Sequence, residues 1–406
     1  MYRAIGELKF NNLQETLVLL IINIDVVITL SFTSQKLLDV TTGTNIVASA
    51  LLSRFPLCKL ASVATGDAKQ ELMTALGYKD EDSNYFKEML RSDLLIVNRI
   101  FVNYTSDIDP KFMANLKGQY GVKVEQVSFN YPKAAVSYIN SIVAAGTYYR
   151  ITDIVNANDI NKNTTMAIVT GAHYKGTFEF PFDIQLTRQL LFNHYNGSKV
   201  RVPMMTRMDF FSYVAGSDCQ VSGQTYQLEF VTIVLSMKLG SWKTTLTIVL
   251  PTDKRALPGL IKKMNLQPRY IDSLVLKMKT IPVVINLPRL KIKTYLDWTG
   301  FFQEFGLYSI FNNETSDLLG ILKNGSNIPN VHLNTVKQKL FFQIDELGAG
   351  RFIRAGKSPA DPLAFPGGVL NFNVDRPFYF QISWEVTIGR LELFSGVYYG
   401  PDLGLF

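Results

Sequence analysis

The chain has 406 residues, 47% of them hydrophobic and 18% charged, with a formal net charge of +7. Such a composition excludes a disordered or low-complexity protein, and a positive surplus spread this thinly, at a pI near 9.1, argues against a dedicated nucleic-acid binder. Two cysteines, Cys58 and Cys219, allow at most one disulfide, so a hydrophobic core rather than a stapled framework must hold the fold.

The first apolar run, Leu17 to Leu30 (LVLLIINIDVVITL), is fourteen residues long and broken by Asn23 and Asp25, short of the roughly 20 a spanning helix needs. Glu7 and Glu15 balance Arg3 and Lys9, and the first Ala-x-Ala starts only at Ala48, so the run lacks the flanks of a secretory signal. It reads as a buried helix or strand; for a secreted chain the signal would precede this numbering. Leu72, Met73 and Leu76 have helical spacing within 67–76, with Gly77 as a stop. The stretch 93–104 (DLLIVNRIFVNY) has the β-branched enrichment of a buried strand, and 133–144 is helical in period.

From about residue 164 the texture turns to strands, at 165–174, 199–205, 228–237 and 244–250. Helices are expected at 256–264 and 269–276, one strand at 283–295, then an amphipathic helix at 297–305 ended by Gly306. Strands return in the last 70 or so residues, apart from a Pro/Gly-rich passage at 348–368. With no repeat and no linker-like stretch, this order predicts one α+β domain over 1–406, helices packed on large, mostly antiparallel sheets.

Signs of an enzyme are absent. The three histidines, His173, His194 and His332, form no HExxH, and neither GxSxG nor CxxC occurs. Gly356-Lys357-Ser358 has the tail of a phosphate loop, but Arg351 stands where its first glycine is needed; Gly348 to Ile353 is a dinucleotide motif without its last glycine. No catalytic residue, metal ligand or cofactor is expected.

Several landmarks, in order, resemble the serpin family. Asn45-Ile-Val-Ala-Ser49 is similar to the start of its NxxxSPxS segment, and Lys175-Gly176 with Phe178 and Phe182 to its KGxWxxxF segment. Val202-Pro-Met-Met205, Leu250-Pro251, Asn286-Leu-Pro-Arg289 and Leu307 to Phe311 follow the family's middle third. Asp375-Arg-Pro-Phe378 resembles its DHPF turn, and Leu393-Phe-Ser-Gly-Val397 with Pro401 its C-terminal LFxGxVxxP. The set runs from about residue 35 to 401. The resemblance implies three β-sheets and about nine helices in one domain, with an exposed reactive loop near the C-terminus. A protease cuts that loop, whose N-terminal part then inserts as a new central strand of the largest sheet.

The loop, about 347–368, departs from the family's inhibitors. Glu346-Leu347-Gly348 resembles the hinge, and beyond it the inward-facing set would be Ala349, Arg351, Ile353, Ala355, Lys357 and Pro359. A buried, unpaired Arg351 would cost several kcal/mol, and Pro359 and Pro362 lack the N–H a central strand donates. Counting places the scissile bond at Pro362-Leu363, where proline fits most serine proteases poorly. Lys357-Ser358 and Arg354-Ala355 would suit trypsin-like pockets, and Phe365 a chymotrypsin-like one. Thirty residues separate Glu346 from Pro377, so the loop is not truncated; its prolines (Pro359, Pro362, Pro366) stiffen it.

The sheet-opening region departs too: Thr170 stands where the family has Asn, Gln338 where it has His, Ala50 follows Ser49, and the next serine position is Leu52. Either Ser49, Thr170 and Gln338 remake a hydrogen-bonded latch or the fold switch has decayed. Five sequons, at Asn103, Asn163, Asn196, Asn313 and Asn324, exceed the roughly three that chance gives; Asn163, at a strand start, is the poorest glycosylation candidate. Lys262, Lys263 and Arg269, and Arg289, Lys291 and Lys293, read as solvated faces, so polyanion, nucleic-acid and membrane binding are not expected. Cys58 and Cys219 are expected as free thiols, and His173 as a packed residue.

Two functions follow from the resemblance. One is an extracellular, monomeric protease inhibitor acting on a serine or papain-like cysteine protease, with impaired insertion and a reversible mode of block, like insect serpins with degenerate hinges. The other is a non-inhibitory carrier, storage protein or chaperone.

Overall fold

Where apolar residues alternate the chain extends, and where they recur every three or four residues it coils. The computed structural model describes residues 43–76, 94–114, 121–216, 219–221, 224–226, 230–239, 242–253, 256–267, 269–323, 331–346, 368–386 and 389–402; the apolar run 17–30 lies outside them. The chain starts with β1 (Ile46–Ala48), α1 (Ala50–Ala61), α2 (Gly66–Leu76), β2 (Leu95–Asn103), α3 (Pro110–Ala114), β3 (Val122–Val127) and α4 (Pro132–Gly146). It continues through β4 (Met166–Lys175), β5 (Thr177–Phe178), β6 (Arg188–Asn193), β7 (Lys199–Gly216), β8 (Cys219–Val221), β9 (Gln224–Tyr226), β10 (Phe230–Leu239) and β11 (Trp242–Pro251). Then come α5 (Leu257–Leu266), α6 (Tyr270–Val275), β12 (Lys279–Pro288), β13 (Leu290–Asp297), α7 (Thr299–Glu304), β14 (Leu333–Ile344), β15 (Leu370–Asn373), β16 (Phe378–Val386) and β17 (Gly389–Tyr398).

Five strands form one sheet in the order β13-β14-β4-β2-β3. A second sheet of ten strands runs β1-β17-β16-β11-β10-β7-β12-β15, with β5 on β10 and β6 on β7. Two of the three expected sheets are thus continuous, because the long β7 pairs with β12 from Met204 to Tyr213 and with β10 from Ser212 to Gly216. β8 and β9 form a separate hairpin.

The five-stranded sheet is buried on both faces. Its inner face, with Ile168, Tyr174, Val336, Leu340 and Phe342, joins the main core against the ten-stranded sheet and α1. Its outer face, with Val97, Phe101, Ala167 and Val169, packs under α4. Pro132 opens α4, and Ala135, Ile139 and Val143 form its buried stripe, Ile139 and Val143 each contributing roughly 1.5–3 kcal/mol by leaving water. The helix sits close because Gly171 of β4 has no side chain: a Cβ there would meet Val143 at 2.7 Å. Gly396, in the C-terminal motif, likewise lets β17 approach the carbonyl of Ile46, which a Cβ would meet at 2.6 Å.

Two expectations change. The stretch 283–295 is not one strand: β12 belongs to the large sheet and β13 to the five-stranded one, with the chain passing between them at Arg289. α1 was not foreseen because all twelve of its residues are buried, Ser53, Arg54 and Lys59 among them, so its polar residues do not gather on a solvent-facing stripe that would give a period. Its N-cap is Ser49, whose hydroxyl accepts from the Leu52 N–H.

Candidate functional site

β14 and β4 run parallel at the centre of the five-stranded sheet, paired from Leu333 opposite Met166 to Gln343 opposite Lys175. This is the seam that an inserting strand would have to part. Polar contacts close it from beneath, from above and at its end.

Beneath, a polar row crosses the sheet in register: Asn98 of β2, Thr170 of β4 and Gln338 of β14. Gln338 Oε1 accepts from the Ser49 N–H at 3.1 Å, while Nε2 donates to Ser49 O at 2.9 Å and to Ser53 Oγ at 2.6 Å. Ser49 Oγ in turn donates to Leu393 O of β17 at 2.6 Å. One amide therefore ties the seam to α1 and, through Ser49, to the large sheet. The sequence-derived latch residues Ser49 and Gln338 meet here, and Ser53, one place beyond the expected position 52, joins them. Thr170 lies in the row but its buried hydroxyl has no hydrogen-bond partner, nor does the Asn98 amide. Asn98 and Ser53 were missed; the only signal of Asn98 was a polar residue inside LLIVNRIFV.

Above, the chain leaves α4 through Tyr148 and Tyr149, both at positive φ (47° and 57°), a costly conformation for such side chains. It then crosses toward β14 and β13. Lys337 Nζ pairs at 2.7 Å with Asp159 of this crossing loop and at 2.7 Å with Asp297 of β13. The side chains of Lys337 and Asp159 are only 7% and 9% exposed. Lys339, two residues on, holds Asp153 at 2.8 Å. Burial disfavours the Lys337 charge, but the two carboxylates outweigh it and raise its pKa. The Asp297 carboxyl is held below its usual range: burial opposes, and bonds from Lys337 and Thr299 prevail.

At the end of β14, Glu346 accepts from Arg289 Nη2 at 2.7 Å, from Arg289 Nε at 2.9 Å and from Thr187 Oγ1 at 2.6 Å. Its carbonyl accepts from the Phe182 N–H. Burial raises the Glu346 carboxyl, but the Arg289 and Thr187 hydrogen bonds more than offset it, so it sits below the ordinary carboxylate range. Arg289, at the passage between β12 and β13, thus anchors the hinge residue to both sheets.

The other hinge residues, Leu347, Gly348, Ala349 and Arg351, and the scissile candidates Arg354, Ala355, Lys357, Ser358, Pro362, Leu363 and Phe365 lie outside the described residues. So does Asn324. Asn196 and Asn313 are exposed, Asn103 is half-buried at the end of β2, and Asn163 is exposed in the turn before β4, which removes the reason for ranking it lowest. Cys58 is fully buried within α1. Among the described residues no cluster of His, Cys, Asp or Glu could hold a metal ion, and no helix is long and apolar enough to cross a membrane. The seam's chemistry is mechanical: directional, reversible contacts that must break when the strands part.

Residues 29–401 match the family described as Serpin (serine protease inhibitor). Antitrypsin of Bombyx mori is 24% identical over 366 residues, covering 88% of each chain, and Antichymotrypsin-2 of the same species is 25% identical over 370 residues, covering 88% of this chain and 92% of its own. The crystal structure of Serpin48 from Tenebrio molitor shares the fold at a TM-score of 0.77 with 22% identity, covering 93% of this chain and 97% of its own. Match, topology and the ordered sequence landmarks agree: the chain belongs to the serpin family of protease inhibitors.

Proposed function

We propose that this serpin inhibits its target by presenting segment 347–367 as bait, and that the cut segment enters the sheet poorly, so that the block is atypical and reversible. The observation that carries this reading is the direct β14–β4 pairing, latched beneath by Gln338 and clasped above by Lys337. The sequence supports it further: Arg351 would enter the core unpaired, and Pro359 and Pro362 cannot complete a central strand. A segment stiffened by three prolines loses less entropy when a protease binds it. The relatives named antitrypsin and antichymotrypsin-2 support a serine protease as target, and a papain-like cysteine protease is the second class to test. The chain acts as one domain, 1–406, as an extracellular monomer without a cofactor, with Asn103, Asn196, Asn313 and Asn324 as its glycosylation candidates.

The test is a denaturing gel, with residual activity, after mixing the protein with a trypsin-like serine protease and with a papain-like cysteine protease. Inhibition without a detergent-stable band at the summed mass is the expected result. A stable band would show that the covalent trap works despite Arg351 and the prolines. Clean cleavage of the segment with no inhibition would instead favour the carrier or storage role.

A further inference from the structure

One group at the seam belongs neither to the latch beneath nor to the lysine clasp above. His173 of β4 stands in a cross-strand row with Lys293 of β13, Phe341 of β14 and Leu95 of β2. Its ring stacks on Phe341 across the seam, with centroids 4.9 Å apart and planes 16° from parallel. Nε2 is buried and has no hydrogen-bond partner.

The charges facing this ring are positive. Arg150, from the loop after α4, and Lys175, two residues along β4, both disfavour a second proton on it. Lys293 lies over the Phe341 ring, 5.3 Å from its centroid, so the ring that would offer an imidazolium a cation–π contact already faces one cation. The carboxylates of this region are engaged elsewhere: Asp345 with Lys175 at 3.3 Å, and Asp153 with Lys339 at 2.8 Å. β2 contributes only Leu95 to the row.

We propose that His173 is an acid-sensitive switch on the β4–β14 seam: the neutral ring holds the two strands together through Phe341, and protonation loosens them. Burial, with Arg150 and Lys175, brings the His173 pKa down from 6.5 to about 4. The folded sheet therefore favours the neutral ring. Its contribution is complete above about pH 6.5 and is lost as the pH falls toward about 4. Acid would open the seam where an additional strand would join. The proposal concerns the sheet alone and is tested without a protease, so it stands or falls separately from the inhibitor reading.

Hydrogen exchange of backbone amides in β4 and β14, expressed as protection factors against β16 and β17, tests it in the full chain at about pH 7.5 and about pH 4.5. Wild type should lose protection at the seam on the order of tenfold between the two conditions, with β16 and β17 unchanged. His173→Phe keeps the stack but cannot charge; it should match wild type at the higher pH and lose at most about twofold at the lower. His173→Gln, which has no titrating ring, should also show little pH dependence at the seam. An equal acid loss in wild type and His173→Phe would overturn the switch, as would an acid loss no larger in β4 and β14 than in β16 and β17.

Discussion

The two faces of the five-stranded sheet are closed by different physics. The inner face is a largely apolar surface, with Ile100, Ile168, Val336, Leu340 and Ile344 at most 1% exposed, interrupted by the polar row that ends in Gln338 and by Thr294, which accepts from the Val47 N–H at 2.9 Å. The outer face is apolar beneath α4 and beneath Ile151, Ile154, Val155 and Ile160 of the crossing loop; that loop is also pinned by its carboxylates to Lys337 and Lys339. Apolar burial is non-directional and weakens gradually as surfaces slide. Ion pairs and amide hydrogen bonds are directional and are lost once a partner moves by an ångström or two. The comparison teaches that one face of this sheet is closed mainly by area, and the other by a smaller apolar cluster reinforced by a few point contacts.

The largest break in the comparison should come from Lys337→Met, which leaves Asp159 with an uncompensated, nearly buried charge. We expect a loss of about 3–5 kcal/mol in urea unfolding, largely recovered by adding Asp159→Asn. A loss below about 1 kcal/mol would mean that α4 alone closes the outer face. Gln338→Ala removes the amide that ties β14 to α1 on the inner face and strands the Ser49 N–H and Ser53 Oγ. About 3 kcal/mol should be lost, and the same unfolding curves read it.

Glu346→Gln sharpens the comparison at the sheet's end. It should cost about 1–2 kcal/mol at neutral pH, since charge-assisted bonds to Arg289 are weakened. The folded Glu346 carboxyl is depressed below its unfolded value, so this stability is present above the unfolded pKa and lost as the pH falls through the folded one. The gap between wild type and variant should therefore narrow as the pH falls below the ordinary carboxylate range; a gap that persists in acid would show that the pair is not what the variant removes. The smallest effect runs the other way. Thr170→Val replaces an unpartnered buried hydroxyl with a methyl of the same shape, and should raise stability by about 1 kcal/mol. An unchanged or lower unfolding midpoint would mean that the hydroxyl has a role the geometry does not reveal.

Much of this was legible in the residues because it is local. The apolar spacing of α2, α4 and α5 and the runs of β2, β4 and β11 predict their own elements within a few residues. Legibility failed where the cause is non-local. α1 is buried all round and its Ser53, Arg54 and Lys59 mark no solvent-facing stripe, so periodicity is silent. The break at Arg289 needs two sheets to explain it, because its guanidinium turns toward Glu346, 57 residues away. The latch was partly legible: Ser49 and Gln338 were foreseen by resemblance, but the family's pattern pointed to position 52, whereas the turn of α1 presents Ser53.

By itself the sequence determined the class of fold, the family resemblance and the character of the segment after Glu346, since composition, period and the placement of Arg351 and the prolines are properties of neighbouring residues. Only the tertiary structure decided which polar side chains meet across the seam. Lys337 finds Asp159 and Asp297, and His173 finds Phe341, because strands distant in the chain lie side by side in a fixed register. In a β-sheet a shift of one residue would turn each of these groups to the opposite face.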